Sequence, residues 1–431
     1  MEKIDVARPL LRPLKDFPEL YRPNFRRNVY HVLSTVFDMI GAETGRRTLF
    51  DDKRYGKVLE DNECKGAENV VLVLVDSCGI QQFALSRRFT RLFRELGSLL
   101  LSSVFPTTTS SVMASIACGV PPNDHGILGH NIYIDEVGAV VDTLRASVID
   151  RAKDSLHYAG VNLRKLLWSK SLFSDLGEDV TYVELLQWGI ARTGLSHFLG
   201  VERETLGFAN LIDAFSMAKR LLGELRGQKL IVQLYVHILD SISHKYGPYS
   251  KEYRLGLRFV EQSIIRFARS LRGRIGDETT LMVISDHGQD MIDPLKRVEL
   301  TREEAEAIGQ YFSSKPGTSG RVRHFYVAEE YVDEFETAMR ERIDGRAALL
   351  SFEEVRESLL ERRGGRERIR LRMGDYVLIP LPGCEVRVKR EEEAKPLLKE
   401  EYVGSHGSLT VNELIVPLLA ARIPLIKKAL G

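Results

Sequence analysis

The sequence predicts an α/β fold around a mostly parallel β-sheet, and three apolar runs are the main basis of that prediction. The runs lie at residues 69–75, 230–239 and 280–285. The first, NVVLVLV, is too short for a helix and too uniformly apolar for a half-exposed strand, and the other two repeat its pattern. Runs of this kind are typical of parallel strands that are buried on both faces of a sheet. We therefore expect a buried central sheet covered by helices.

With 431 residues the chain is long for one ordinary domain and can bury a large core. Charged helical runs surround short strand candidates after residue 290, which indicates a change from the core to an α+β insertion that could cover it. We therefore divide the chain into an N-terminal extension, a core, an α+β cap insertion and a C-terminal return to the core, at residues 1–66, 67–290, 291–400 and 401–431.

Helices are also predicted near both ends of the chain. Apolar residues spaced between Val29 and Ile40 predict one amphipathic helix in the N-terminal extension. Residues 410–430 are interpreted as a second amphipathic helix, which Pro417 and Pro424 interrupt.

Charge and composition narrow the classes of partner. Lysine plus arginine total 61 and aspartate plus glutamate total 60, so no bulk charge favours a nucleic acid polymer or an acidic membrane surface. No run approaches the roughly 18 apolar residues of a membrane span, and no signal-peptide core is present, so we expect a cytoplasmic protein. The four cysteines form no C-x-x-C pair and are interpreted as structural thiols. The partner has to be inferred from a site.

The stretch FPTTTSSVMASIACGVPPNDHGILG, residues 105–129, predicts a helix that begins at its threonines and ends at Gly119. Thr109 and Ser110 are then placed at the start of that helix. Exposed N–H groups and the positive end of the helix dipole favour an anion there, so a threonine could act as a nucleophile. The alternative is that Thr109 only caps the helix.

Three aspartates follow the three predicted strands: Asp76, Asp240 and Asp286. In open α/β sheets ligands bind at the carboxyl ends of the strands, so these side chains are expected to meet in one crevice. An aspartate after a strand can also cap the following helix, and that alternative stays open for each of them.

Histidines accompany two of these aspartates and complete a metal-binding set. His244 follows Asp240 by four residues, which places both on one face of a helix, and His287 follows Asp286 directly. His406 has no apolar neighbours that would make it a core residue. Nitrogen and oxygen ligands of this kind suit zinc, and there are enough of them for two ions. Two metal ions suit phosphoryl transfer.

The chain resembles the alkaline phosphatase superfamily and, within it, the type I phosphodiesterase/nucleotide pyrophosphatase family. The motifs that carry the resemblance occur in the family's order across residues 70–420: the strand ending in Asp76, then FPTTTSS, ACGVPPNDHGILG, DSISHKYGP, SDHG and GSHGSLTVNELIVPLL. The resemblance implies a three-layer alkaline-phosphatase-like fold with a central, mostly parallel sheet and a smaller α+β cap. It also implies a two-zinc phosphoesterase that acts on small phosphoesters or nucleotides.

The family's site can be carried over residue by residue. One zinc is expected at Asp240, His244 and His406, and the other at Asp76, Asp286, His287 and the nucleophile. The family's nucleophile falls three residues after the proline, which selects Thr109. It would form a phosphothreonine intermediate, which water then releases. Manganese is the alternative metal.

Two positions depart from the family's pattern. Val112 stands where nucleotide-cleaving members carry asparagine, and Ser77 stands where glycine is usual. His125 and His130 fall outside the ligand set; His125 is interpreted as structural, and His130 is a candidate for substrate contact. The alternatives are a phosphomonoesterase, a phosphomutase or phosphotransferase of the same superfamily, and a catalytically idle zinc-binding scaffold.

Overall fold

A central seven-stranded sheet contains the three apolar runs on which the fold prediction rests. The computed structural model describes residues 10–97, 99–200, 204–361, 365–388 and 402–431. The strands lie in the order Leu99–Ser102, Ile415–Arg422, Thr279–Ile284, Asn69–Val75, Lys229–Val236, Val180–Gln187 and Glu204–Phe208. The last five of these pair in parallel, whereas Ile415–Arg422 is antiparallel to both of its neighbours. The prediction of a mostly parallel sheet is confirmed.

Helices pack on this sheet in two groups, which gives the three-layer α/β arrangement. One group contains Arg87–Glu95, Leu211–Glu224, Lys251–Ser270 and Ile423–Leu430, and the other contains Val32–Met39 and Thr109–Cys118. The strand Asn69–Val75 is buried along its whole length between them. Its continuous apolar sequence is therefore explained, because neither face of the strand reaches water.

A second seven-stranded sheet forms the smaller layer of the molecule. Its order is Ala347–Ser351, Tyr376–Pro380, Val322–Phe325, Gly317–Ser319, Asn131–Ile134, Ala139–Asp142 and Ser147–Val148, and its strand pairs are antiparallel. Helices Arg302–Gly309 and Val332–Ile343 accompany a separate apolar cluster there, around Phe325 and Phe335. The sheet is not confined to residues 291–400, because residues 131–148 supply three of its strands.

The segments at the two ends of the chain differ from their sequence-based descriptions. The N-terminal helix spans Val32–Met39 and is buried on nearly every side, so it is not amphipathic, and a further helix follows at Lys53–Asp61. Residues 1–9 of the predicted extension and residues 389–400 of the predicted cap lie outside the described residues. No helix within the described part of the chain is long and apolar enough to cross a membrane.

The prediction of a broken helix over residues 410–430 is wrong. The short helix Val411–Leu414 leads into the strand Ile415–Arg422, and only Ile423–Leu430 is a longer helix. Pro417 lies opposite Leu100 of strand Leu99–Ser102, whereas the pairing with strand Thr279–Ile284 begins at residue 418 and so does not use the N–H that proline lacks. This strand fills the sheet between two others, and the chain therefore returns to the core through a strand as well as a helix.

Candidate metal centre

Six predicted metal ligands form two neighbouring groups at one edge of the central sheet. We call Asp76, Asp286 and His287 the inner triad, and Asp240, His244 and His406 the outer triad. Within each triad the potential ligand atoms lie within 4.8 Å of one another. The rings of His287 and His406 stack with their centroids 4.0 Å apart, so the triads are adjacent. The structure thus brings together residues that are up to 330 positions apart in the sequence.

The inner triad follows two neighbouring parallel strands. Asp76 comes directly after Asn69–Val75, and Asp286 and His287 come just after Thr279–Ile284. The Nε2 atom of His287 lies 3.7 Å from Oδ1 of Asp76 and 3.4 Å from Oδ2 of Asp286. Both of these carboxylate oxygens are buried, and neither has a hydrogen-bond partner among the residues that the structure describes.

Protein donors satisfy the other oxygen of each inner carboxylate. The Tyr235 hydroxyl donates to Oδ2 of Asp76. The backbone N–H groups of Ser77 and His287 donate to Oδ1 of Asp286, at 3.2 and 2.8 Å. Burial, followed by the nearby Asp286, raises the pKa of Asp76 well above its usual range. Two buried carboxylates that direct unpaired oxygens at one imidazole nitrogen fit a bound cation, which would satisfy both.

The outer triad depends on a helix that begins earlier than the sequence predicted. The strand ends at Val236, and Asp240 lies in the first turn of helix Ile238–Tyr246. The expected four-residue spacing on one helix face is confirmed, with His244 Nε2 3.3 Å from Oδ1 of Asp240. His406 Nε2 is 3.8 Å from the same oxygen. One carboxylate oxygen therefore faces both imidazoles.

Backbone carbonyls orient the two outer imidazoles. His244 Nδ1 is 2.8 Å from the carbonyl oxygen of Gly404, and His406 Nδ1 is 2.8 Å from that of Thr107. Because a carbonyl oxygen only accepts, each Nδ1 carries the proton and each Nε2 presents a lone pair to the centre. This arrangement is typical of histidines that bind a metal through Nε2.

Thr109 is the threonine that faces the centre. Thr108 occupies the N-cap position of helix Thr109–Cys118 and makes no side-chain capping bond, so Thr109 is the first helical residue and not its cap. Its Oγ1 lies 3.4 Å from Nε2 of His287. The hydroxyls of Thr107 and Thr108 instead bond to Ser408 O and Ser111 Oγ, at 2.9 and 3.2 Å. Thr109 is half-buried, whereas its two neighbours are buried.

The two histidines outside the ligand set differ in their contacts. His125 is buried, accepts the Ile127 N–H at Nδ1 and contacts Ser115 Oγ through Nε2, at 3.1 and 2.8 Å. Burial above all lowers its pKa to about 3. Those contacts agree with the structural interpretation. His130 is half-buried, with Nδ1 3.0 Å from Ser110 Oγ and its ring 6.0 Å from that of His406. It therefore borders the metal centre.

Sequence reasoning missed the support that three side chains give to the triads, and it noted Ser77 only as a departure from the family's pattern. Tyr235 lies on the central strand Lys229–Val236, while Ser77 and Gln289 each lie within two residues of a ligand. Gln289 Nε2 donates to Oδ1 of Asp240 at 2.7 Å. The sequence showed only that these residues lie near ligands. The ligand that each one contacts follows a different strand, so the contact could not be read from the sequence.

Comparisons with known proteins agree with this geometry. A protein-family model described as "Type I phosphodiesterase / nucleotide pyrophosphatase" matches residues 70–409. The human ectonucleotide pyrophosphatase/phosphodiesterase family member 7 is 27% identical over 197 residues, which are 45% of this chain and 41% of that protein. The GPI ethanolamine phosphate transferase 1 of Neurospora crassa is 35% identical over 85 residues, which are 19% of this chain and 8% of that protein. The matches therefore span less than half of these curated relatives.

Solved structures with the same fold cover most of the chain. Murine ectonucleotide pyrophosphatase / phosphodiesterase 5 superimposes with a TM-score of 0.59 at 15% identity, covering 82% of this chain and 87% of that one. An inactive form of the murine protein was solved in complex with AMP. Phosphonoacetate hydrolase from Sinorhizobium meliloti 1021 has a TM-score of 0.55 at 17% identity, with coverages of 84% and 94%. These likenesses show the alkaline-phosphatase-like fold.

Proposed function

We propose a hydrolytic function for this chain, which belongs to the type I phosphodiesterase / nucleotide pyrophosphatase family. It cleaves phosphoric ester or phosphoanhydride bonds in small molecules, most directly those of phosphodiesters or nucleotides. The observation that carries the proposal is the position of the Thr109 hydroxyl at a helix start, 3.4 Å from a histidine of the inner triad, with the outer triad beside it.

The site suits two divalent cations, for which zinc is our first candidate and manganese the alternative. Asp76, Asp286, His287 and Thr109 would hold one ion, and the outer triad would hold the other. The unpaired Oδ1 of Asp76 and Oδ2 of Asp286 support this assignment, since buried carboxylate oxygens without partners are unfavourable. When bound, such ions supply Lewis-acid stabilisation of phosphoryl oxygens and lower the pKa of oxygen nucleophiles.

Thr109 performs the covalent step in this proposal. Its Oγ1 forms a bond to phosphorus while the bond from phosphorus to the leaving-group oxygen breaks, and the hydroxyl proton passes through solvent to the leaving-group oxygen. A water molecule then attacks the phosphothreonine, the bond from phosphorus to Thr109 Oγ1 breaks, and a proton of that water restores the Thr109 hydroxyl as the phosphate product is released. The free N–H groups at the start of helix Thr109–Cys118 stabilise the negative phosphoryl oxygens during both steps.

The chemical class of the substrate is proposed from the relatives' names. The murine structural relative was solved with AMP, and the human relative is described as a pyrophosphatase/phosphodiesterase, which favours diesters and nucleotides. The short match to ethanolamine phosphate transferases supports phosphoryl transfer to an acceptor other than water as the second candidate. Both reactions would use the same nucleophile.

Steady-state hydrolysis of three chromogenic substrates tests the proposal. These are p-nitrophenyl phosphate, bis-p-nitrophenyl phosphate and p-nitrophenyl thymidine monophosphate, each with zinc-loaded and with chelator-treated protein. We expect the diester and the nucleotide substrate to be cleaved fastest and the activity to vanish without metal. Faster cleavage of the monoester would replace the diesterase assignment by a monoesterase. Inactivity on all three would remove the hydrolytic proposal and favour the transferase or the idle scaffold.

A pair of threonine variants tests the nucleophile. Thr109→Ala should lower kcat by several orders of magnitude, as loss of a nucleophile does in serine hydrolases, while two metal ions remain bound. Thr108→Ala is the matched control, because its hydroxyl contacts only Ser111 among the bonds described and should leave most activity intact. Near wild-type turnover by the Thr109 variant would contradict the mechanism.

A further inference from the structure

Ser77 has an unusual backbone conformation in the loop that follows strand Asn69–Val75. It follows the ligand Asp76 and has a φ of +57°, in the left-handed region that non-glycine residues disfavour. Glycine would accommodate such a backbone without strain. This chain therefore carries a side chain at a position where a side chain is costly.

The hydrogen bonds of Ser77 reach both triads. Its backbone N–H donates to Oδ1 of Asp286 in the inner triad, at 3.2 Å. Its hydroxyl donates to Oδ1 of Asp240 in the outer triad, at 2.7 Å. Tyr253, which lies on helix Lys251–Ser270, also holds this loop, since its hydroxyl donates to the Ser77 carbonyl oxygen at 2.8 Å. The same hydroxyl lies 3.4 Å from Nδ1 of His287 in the inner triad, but its shorter bond is the one to Asp240.

Gln289 completes this connection from the other side. Its Nε2 donates to Oδ1 of Asp240 at 2.7 Å and to the Ser77 hydroxyl oxygen at 3.2 Å. Its own Oε1 accepts a hydrogen bond from Ser243 Oγ at 2.7 Å. Ser77, Ser243 and Gln289 are all fully buried. Water therefore does not compete for these bonds, and the amide has a fixed orientation.

We propose that Ser77 is a positioning residue that, together with Gln289, holds the Asp240 carboxylate in the orientation needed for the outer metal ion. The inference rests on the function proposed above, because it assumes that the outer triad binds a metal. Two donors on Oδ1 restrict rotation of the carboxylate, and that same oxygen lies 3.3 Å from His244 Nε2. Supporting bonds of this kind tune the affinity of a metal site.

Metal-binding isotherms of metal-free protein test this inference with zinc as the titrant. Ser77→Gly and Ser77→Ala both remove the hydroxyl and keep the backbone N–H that contacts Asp286. We expect each variant to bind the outer zinc about 10–100-fold more weakly, the usual effect of losing such a partner. The inner zinc should change less, because Nδ1 of His287 keeps the Gly288 carbonyl oxygen at 3.1 Å as a partner. A His244→Ala protein, which lacks an outer ligand, identifies which binding step belongs to the outer triad.

Glu63→Gly is the matched control for backbone strain. Glu63 is exposed, lies outside the metal centre and has a φ of +55°. Glycine relieves the backbone strain at either position, but only Ser77→Gly should weaken zinc binding. If both Ser77 variants bind the outer zinc within threefold of the wild type, the hydroxyl has only a structural role and the inference fails. If the wild type binds fewer than two zinc ions, the proposed function fails instead.

Discussion

The inner and outer triads have the same number of ligands but differ in burial and charge. The inner side chains are 0–4% exposed, whereas Asp240 and His244 of the outer triad are 21% and 18% exposed. The inner triad has two carboxylates and one imidazole, and the outer triad has one carboxylate and two imidazoles. The protein therefore assembles one closed site with two carboxylates and a more open site with one carboxylate.

This difference indicates in which triad the charged carboxylates are unfavourable when no metal is bound. In the inner triad burial and Asp286 raise the pKa of Asp76, so its charged form is unfavourable. Burial would also raise the pKa of Asp240, but His244, His406 and His287 together hold it well below its usual range. The neighbouring histidines thus stabilise the charge of the outer carboxylate, whereas in our proposal a cation would stabilise the charges of the inner pair. We expect the inner ion to contribute more to stability and the outer ion to exchange more readily.

Removing one ligand from each triad should have the largest effect. Asp286→Ala should abolish inner metal binding and lower kcat/KM by about 10³-fold or more, since a metal ion supplies several kcal/mol of transition-state stabilisation. His244→Ala should also lower kcat/KM, but part of its activity should return at high zinc concentration because its site is open. Metal content and kcat/KM over a zinc titration measure both effects. Equal recovery of the two variants would contradict the distinction between the sites.

Amide replacements should change the stability of metal-free protein in opposite directions. Asp76→Asn removes a disfavoured buried charge and keeps an oxygen for the Tyr235 hydroxyl, so the free energy of unfolding should rise by about 1–3 kcal/mol at pH 7.5. Asp240→Asn removes a charge that its histidine neighbours favour, and should cost about 1 kcal/mol. Urea unfolding with chelator present measures both. Shifts of the same sign would show that the two triads are not electrostatically different.

His125, a histidine outside both triads, provides a reference for acid sensitivity. The pKa of His125 is about 3 in the folded protein, against about 6.5 when unfolded, so the unfolded chain binds the extra proton as pH falls. Its contribution to stability is therefore complete above pH 6.5 and is lost progressively below it, by about 1.4 kcal/mol between pH 7.5 and 5.5.

His125→Asn isolates that contribution from protonation of the metal ligands. The asparagine cannot take up the proton and can still accept the Ile127 N–H. The free energy of unfolding of metal-free protein should therefore depend less steeply on pH in the variant. The difference in slope should correspond to at most one proton taken up on unfolding. His31 and His324, whose pKa values burial lowers to about 4, contribute equally in both proteins. An unchanged slope would mean that His125 does not remain neutral in the fold.

Local patterns in the sequence predicted the central sheet and the candidate ligands. Uniform apolar runs marked Asn69–Val75 and Thr279–Ile284 to within one residue, because a strand buried on both faces has no polar period. The spacing of Asp240 and His244 predicted a helix, which is present. The apolar run at residues 415–422 led to a wrong prediction, since a short apolar run with a proline does not distinguish a buried strand from a broken helix.

The sequence by itself predicted which residues could bind metal, because each pattern lies within a few residues, and the family resemblance selected Thr109 as the nucleophile. Only the tertiary structure decided that Ser77 and Gln289 meet at Asp240, and that the strands of residues 131–148 join the second sheet. The physical reason is that strand order brings together loops that follow different strands. Hydrogen bonds between such loops depend on sheet register and close packing, which no local pattern of residues encodes.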